Sequence, residues 1–291
     1  MTTDSADAAG TLPDSTHVGR VALRVGSLDA TVPFYRDVVG LDVVRDDDSG
    51  EARLLADGEE LVVLVEDPDT PERPRDAAGL FHLAVRVPDR AALADALTRI
   101  RTHGNLTGAS DHVVSEALYL RDPEGNGVEI YRDRPREEWR ETAAGQLDIR
   151  TLPLDLDDLA AAAESDTRDA DRAPPGTDIG HVHLEVTDLD RALDFYVDDL
   201  GFTLENDEYD GAAFVAAGGY HHHLGLNTWN RRTAQRGDHR GLAWYELVVP
   251  DEGSLSALSD RLTAAGEPVE ETEHGLSVTD PAGIEVRIRV E

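Results

Sequence analysis

The sequence predicts an α+β fold built from four βαβββ modules, and three observations carry the prediction. The chain repeats itself: Val25-Gly-Ser-Leu-Asp-Ala-Thr-Val-Pro-Phe-Tyr-Arg-Asp-Val-Val-Gly-Leu41 matches Val186-Thr-Asp-Leu-Asp-Arg-Ala-Leu-Asp-Phe-Tyr-Val-Asp-Asp-Leu-Gly-Phe202. A second pair follows each copy. Val87-Pro-Asp89, a helical stretch and Asp122-Pro-Glu-Gly-Asn-Gly-Val-Glu-Ile130 match Val249-Pro-Asp251, a helical stretch and Asp280-Pro-Ala-Gly-Ile-Glu-Val286. Lastly, Val21, Leu23 and Val25 alternate with Arg20, Ala22 and Arg24, the period of a half-buried strand.

Each module has the same order of elements. An alternating strand comes first. Ser27 or Asp188 then caps a helix that carries Phe34-Tyr35 or Phe195-Tyr196 on its apolar face and ends at Gly40 or Gly201. Three short strands follow, separated by turn sequences such as Asp46 to Gly50 and Asp122 to Gly127. The modules fall at 17–66, 79–134, 179–230 and 240–290, giving an N-terminal half over 16–134 and a C-terminal half over 179–291. Residues 1–15 read as a disordered tail. The acidic, alanine-rich linker 135–178 predicts short helices near 136–143 and 156–164 and a mobile stretch from Ser165 to Thr177.

Composition excludes several classes. At 291 residues the chain can bury about 75% of its unfolded surface and needs no staples. Cysteine is absent, so disulfides, thiolate metal sites and a cysteine nucleophile are excluded. No apolar run is long enough to span a bilayer, and Met1 to Pro13 lacks the basic and apolar parts of a secretory signal, which predicts a cytoplasmic protein. Sixty acidic residues against 27 arginines, with no lysine, give a formal charge of −33. That field repels nucleic acid and anionic lipid, so neither is expected as a partner. A folded, carboxylate-rich surface suits concentrated salt, where the Debye length is about 3 Å at 1 M, and the chain reads as halophilic.

The repeats, together with Gly79-Leu-Phe-His-Leu-Ala-Val-Arg-Val-Pro88, Gly180-His-Val-His-Leu-Glu-Val186, Gly219-Tyr-His-His-His-Leu-Gly-Leu-Asn-Thr-Trp229 and Asp122 to Tyr131, resemble the vicinal oxygen chelate superfamily of glyoxalases, bleomycin resistance proteins and dioxygenases. Within it the chain is most similar to two-domain ring-cleaving dioxygenases of the catechol 2,3-dioxygenase type. The resemblance implies modules paired into two partly open mixed β-barrels around a metal, with ligands from the first and last strand of each module. The first-strand ligand position falls on Arg20, His82, His181 and Trp244, and the last-strand carboxylate on Glu129 and Glu285. Parity agrees: Val182, Leu184 and Val186 face the helix, so His181 and His183 face the concave side, and Val128 and Ile130 leave Glu129 facing in.

Two imidazoles and a carboxylate make the facial triad of non-haem Fe(II). Neither half supplies the set alone, because a guanidinium cannot ligate. Two arrangements stay open. If modules two and three pair across the linker, His181, His82 and Glu129 converge, and modules one and four keep Arg20, Trp244 and Glu285 without a metal. If modules pair within halves, the set is His181, one of His221 to His223 (His223 as a ligand), and Glu285. By resemblance His222 is the acid–base residue. His17 and His112 read as loop histidines, Asp122 and Asp280 as turn residues, and Trp229, Trp244 and Tyr245 as pocket wall or core. The resemblance implies an extradiol dioxygenase acting on a small aromatic diol and O2 with Fe(II), alternatively Mn(II) or another divalent metal. A glyoxalase-like isomerase or thiol transferase, or a non-catalytic binding protein, are the alternatives, and a homo-oligomer is left open.

Overall fold

The computed structural model describes residues 10–46, 48–163 and 169–291. Module one comprises β1 (His17–Val25), α1 (Leu28–Phe34), β2 (Asp42–Asp46), β3 (Glu51–Ala56) and β4 (Glu59–Glu66). Module two comprises β5 (Gly79–Arg86), α2 (Arg90–His103), β6 (Gly108–Asp111), β7 (Ser115–Arg121) and β8 (Gly127–Asp133). The connection carries β9 (Leu152–Pro153) and α3 (Leu156–Ala160). Module three is β10 (Asp178–Glu185), α4 (Leu189–Leu193), β11 (Thr203–Asn206), β12 (Ala212–Ala216) and β13 (Leu224–Asn227). Module four is β14 (Gly241–Val249), α5 (Glu252–Ala265), β15 (Glu270–Thr272), β16 (Gly275–Thr279) and β17 (Glu285–Val290).

The sheets pair modules across the halves. One has the order β15-β16-β17-β14-β1-β4-β3-β2 and joins modules four and one; the other, β11-β12-β13-β10-β5-β8-β7-β6-β9, joins three and two. In every module the first strand runs parallel to the last, and the two modules of a sheet meet through antiparallel first strands, β1 with β14 and β10 with β5. Of the two arrangements left open by the sequence, this is the swapped one. One large hydrophobic core joins the sheets and helices: Val21, Leu23 and Val25 of β1 share it with Leu83 and Val85 of β5 and Val182 and Leu184 of β10. Each such side chain contributes roughly 1.5–3 kcal/mol on burial.

The helix starts form as the capping residues dictate. Ser27, Asp89, Asp188 and Asp251 each accept a backbone N–H from three residues on. The Phe-Tyr segments do more than fill core. After α1 and α4 the backbone widens into a π turn, Tyr35–Val39 and Asp194–Asp199. In the first, Gly40 closes the turn at φ 93°. Tyr35 donates its hydroxyl to Asp122 (3.1 Å) and Tyr196 to Asp280 (2.8 Å). Both aspartates also accept backbone N–H groups of their own turns, as turn residues should. The tyrosines thus tie module one to two and module three to four, within the halves, while the sheets tie them across.

The described part of the linker is tied to the modules by hydrogen bonds. The helix expected at 136–143 is one 3₁₀ turn, Arg136–Glu138, and the second is α3. Residues 165–168 of the expected mobile stretch lie outside the described residues. The remainder is fastened, because buried Arg99 donates to Ala170 O as well as to Val39 O of the first π turn, and Ala173 N donates to Gly40 O. Residues 1–9 of the expected tail also lie outside the described residues, but Leu12 is buried and donates its N–H to Gly201 O. No described helix is long and apolar enough to cross a membrane.

Candidate active site

The central strand pair of the nine-stranded sheet builds the site. Along β5 and β10 the register runs His183 opposite His82 and then Leu184 opposite Leu80, so Phe81 is an extra residue. A second irregularity places Ile179 opposite Val85 and His181 opposite Ala84, so Gly180 is extra. Bulges of this kind re-aim side chains. Here Phe81 lines the same cavity as His82, its neighbour in sequence. Gly180 is required by close approach, since a Cβ there would lie 1.8 Å from Tyr131 Oη. Glu129 enters from β8, beside Ala84 on β5 and opposite Tyr119 on β7.

His82, His181 and Glu129 are buried and converge. His82 Nε2 lies 2.9 Å from Glu129 Oε2, His181 Nε2 lies 3.3 Å from the same oxygen, and the two nitrogens are 3.3 Å apart. Ligands on adjacent octahedral positions at about 2.1 Å from an ion would be separated by about 3.0 Å, so the spacing fits a divalent cation. The donor set fits too. Burial drives the His181 imidazole down to about 4, despite the opposing pull of Glu129, so it offers a neutral lone pair. Burial pushes the Glu129 carboxyl up, but His181 and His82 outweigh it and hold the group well below its ordinary value.

Two polar chains lead away from this cluster. His222 lines the cavity with its ring centroid 4.1 Å from that of His181. Its Nδ1 is 2.7 Å from His221 Nδ1, and His221 Nε2 is 2.8 Å from Asp133 Oδ1. A carboxylate only accepts, so His221 carries its proton on Nε2. With that proton on Nε2, His221 accepts at Nδ1 from His222 Nδ1–H, which leaves Nε2 of His222 as a free base. Burial, with His181 and His221 next, holds His222 well below its ordinary pKa. Asp133 is fixed by Arg86 (3.1 Å) and by the hydroxyl of Tyr220 (3.0 Å). On the other side His112 Nδ1 faces Arg150 O at 2.5 Å, and so donates there and accepts from Tyr119 Oη at Nε2 (2.6 Å). Burial and the adjacent Glu129 hold the Tyr119 phenol well above its ordinary pKa.

The remaining wall is largely apolar. Phe81, Val114, Ile149, Tyr209, Phe214 and Trp229 enclose a cavity of about 180 Å³ above the cluster. His183 also lines it; burial, with His82 and His181 next, holds it well below its ordinary value, and its Nε2 has no hydrogen-bond partner. The ring sits against Gly225, where a Cβ would approach it to 2.7 Å.

Not every residue singled out in the sequence arrives here. Glu285 is in the other sheet, opposite Trp244, and pairs with Arg287 at 2.7 Å. His223 turns away from the cavity: its Nδ1 accepts from Ala217 N, and its ring lies beside Tyr220. These placements correct the set that combines His181 with His223 and Glu285. Arg20 is held by Glu246 (2.7 Å) and Glu60 (2.9 Å), and Trp244 lies under Arg20 and Arg287. Ion pairs therefore fill the face of the eight-stranded sheet that corresponds to the cavity. Tyr245 is core and donates to Tyr196 Oη, whereas Trp229 is cavity wall. His112, expected as an ordinary loop histidine, is also cavity wall. The sequence reading missed Tyr119, Asp133 and Phe81. Tyr119 was within reach of the register, facing Glu129 on the next strand. Phe81 was hidden by the bulge, because strict alternation turns it away from His82.

Four such modules, with two imidazoles and a carboxylate gathered on one sheet, define a class, and the family model agrees. The chain belongs to the Glyoxalase/Bleomycin resistance protein/Dioxygenase superfamily, whose model matches residues 17–130 and 178–288. It is 42% identical over 274 residues to a catechol-2,3-dioxygenase of Bacillus subtilis, covering 92% of this chain and 95% of that protein. Among solved structures, a putative dioxygenase from Bacillus subtilis superposes with a TM-score of 0.61 at 15% identity, over 96% of this chain and 86% of the other. Glyoxalase I from Zea mays does so with a TM-score of 0.56 at 19% identity, over 94% and 92%. At those identities the structural likeness concerns the fold.

Proposed function

We propose that the chain is a metal-dependent extradiol dioxygenase that opens the ring of a catechol-like diol with O2. The observation that carries the reading is the convergence of His82, His181 and Glu129 at 2.9–3.3 Å on the floor of an aromatic-walled cavity. The 42% identity to a catechol-2,3-dioxygenase over nearly the whole chain supports it. His82, His181 and Glu129 would hold the ion, Fe(II) or alternatively Mn(II). When bound, the ion supplies coordination for the two diol oxygens and a path for electrons from ring to O2.

The protein's own groups supply the rest. His222 takes the phenolic proton at Nε2. Its Nδ1–H stays hydrogen-bonded to His221, whose Nε2–H is held in turn by the Asp133 carboxylate, a base–orienter arrangement that steadies the charge His222 gains. Tyr119, its hydroxyl given to His112, lies beside Glu129 and borders the ring position. Phe81, Phe214 and Trp229 present aromatic surface to a flat ligand and exclude water from the reacting face. The carboxylate-rich surface makes molar salt the natural assay condition.

The test is anaerobic loading of the full chain with Fe(II) in high salt, followed by catechol and air. The expected result is oxygen uptake with the yellow ring-opened product. Retained metal without oxygen uptake would refute the reading and, if accompanied by turnover of a methylglyoxal–thiol adduct, would indicate the isomerase chemistry instead.

A further inference from the structure

A second cavity, of about 200 Å³, shares Phe81 as a wall with the first. Its lining runs against the composition of the chain. Arg73, Arg121, Arg232 and Arg240 face three glutamates in a protein where acids outnumber bases 60 to 27. Of those glutamates, Glu72 is exposed to solvent, and Glu124 is engaged by Arg240 at 3.4 Å and by Gly26 N at 2.9 Å. Glu185 is buried and saturated: it accepts from Arg73, from Arg232 Nη2 (2.8 and 3.0 Å) and from Asn230 (2.5 Å).

The cations are not equally satisfied. Arg121 is exposed, and among the described residues it donates to Gly125 O and pairs with no carboxylate. Arg232 Nε is buried without a hydrogen-bond partner. Partial burial, aided by repulsion from Arg232 and Arg121 and against the pull of Glu185, pushes Arg73 below the usual guanidinium range. An exposed guanidinium without a carboxylate partner, Arg121, in a recess lined by three further arginines suits a bidentate anion, and carboxylate geometry matches it. The recess also has an address. Glu185 follows His181 and His183 at alternate positions of β10, so the arginines sit along the same concave trough, about 13 Å from His181 at the rise of a strand.

We propose that this cavity is a carboxylate subsite, which binds an acidic side chain carried on the ring of the diol that reaches the triad past Phe81. The inference rests on the ring-opening reading for its substrate class, and it explains how an anionic diol is drawn into a protein of charge −33.

The test compares catechol with 3,4-dihydroxyphenylpropionate on the metal-loaded full chain, as wild type, Arg121→Gln and Arg232→Gln. The ratio of kcat/KM for the acid to that for catechol is expected to fall at least tenfold in both variants. A general loss of structure lowers turnover of both substrates together, so the deciding reading is the ratio in a variant that keeps its catechol turnover: unchanged there, it overturns the subsite. A second measurement separates this inference from the reaction. Calorimetric titration with 3-phenylpropionate, which has no diol, is expected to show binding that weakens at least tenfold in Arg121→Gln. If diols are not turned over but that Arg121-dependent binding is found, ring opening fails and the subsite stands. If inorganic phosphate binds in an Arg121-dependent way and 3-phenylpropionate does not, the recess holds a free anion and the substrate subsite is refuted.

Discussion

Replacing Asp133 by asparagine tests whether the His221–His222 pair works as a proton-holding unit. The carboxylate lies two hydrogen bonds, 2.8 and 2.7 Å, and one imidazole ring from His222 Nδ1. At about 7 Å and an effective dielectric constant of about 20, a unit negative charge stabilises a cation by about 2.4 kcal/mol. Asp133→Asn removes that charge and leaves Arg86 paired with Asp178 alone. If His222 is protonated on the way to the transition state, kcat should fall about 60-fold. The assay is steady-state oxygen uptake on Fe(II)-loaded protein, with metal content measured on the same samples. Metal occupancy should be unchanged, because Asp133 does not touch His82, His181 or Glu129. Asp133→Glu, which keeps the charge, should recover a substantial part of the rate. A kcat within threefold of wild type, or a loss of rate that merely follows loss of metal, would refute the reasoning.

Three further outcomes follow from the geometry. His82→Ala and Glu129→Ala should each abolish metal retention by elemental analysis while Glu285→Ala retains it; the opposite pattern would move the centre to the other sheet. His223, driven by burial to about 3 from its ordinary 6.5, stays neutral when folded, so its stabilising contribution is full above pH 6.5 and is lost as the pH falls from there toward 3. The stability advantage of wild type over His223→Gln, read from urea midpoints, should therefore shrink by about 1.4 kcal/mol between pH 7.5 and 5.5, and a pH-independent difference would contradict the burial argument. Gly225→Ala, whose Cβ would meet the His183 ring at 2.7 Å, should cost about 1–3 kcal/mol in chemical denaturation; an unchanged midpoint would mean that the ring moves aside freely.

The repeat made the module boundaries and the inward-facing donors readable, because a sheet's two-residue period fixes which side a residue takes. His181, His183 and Glu129 were placed facing inward that way, whereas His82 came from the first-strand position that the family resemblance implies. Pairing between modules was not readable. Each first strand has an edge that several partners could satisfy, and the choice depends on the fit of whole faces. The π turns were also invisible, since Phe34-Tyr35 looks like ordinary helix until Tyr35 is seen reaching Asp122. The polar chain through His221 to Asp133 depends on a turn conformation that alternation cannot supply, and Phe81 shows that one inserted residue defeats parity locally.

The crossed pairing of modules has a consequence for how the chain reaches its final form. Modules two and three are neighbours along the polypeptide, so β5 and β10 can zip together as soon as the connection between them has been made. β1 must wait for β14, whose first residue is more than two hundred positions later. Long closures come late in folding, and an unpaired strand edge is exposed to the wrong partners meanwhile. The sheet that carries His82, His181 and Glu129 should therefore ripen first, with the outer pair closing round it like a clasp. Pulse-labelled amide exchange during refolding should protect Leu83 and Val182 before Leu23 and Leu247, and the reverse order would contradict this nesting.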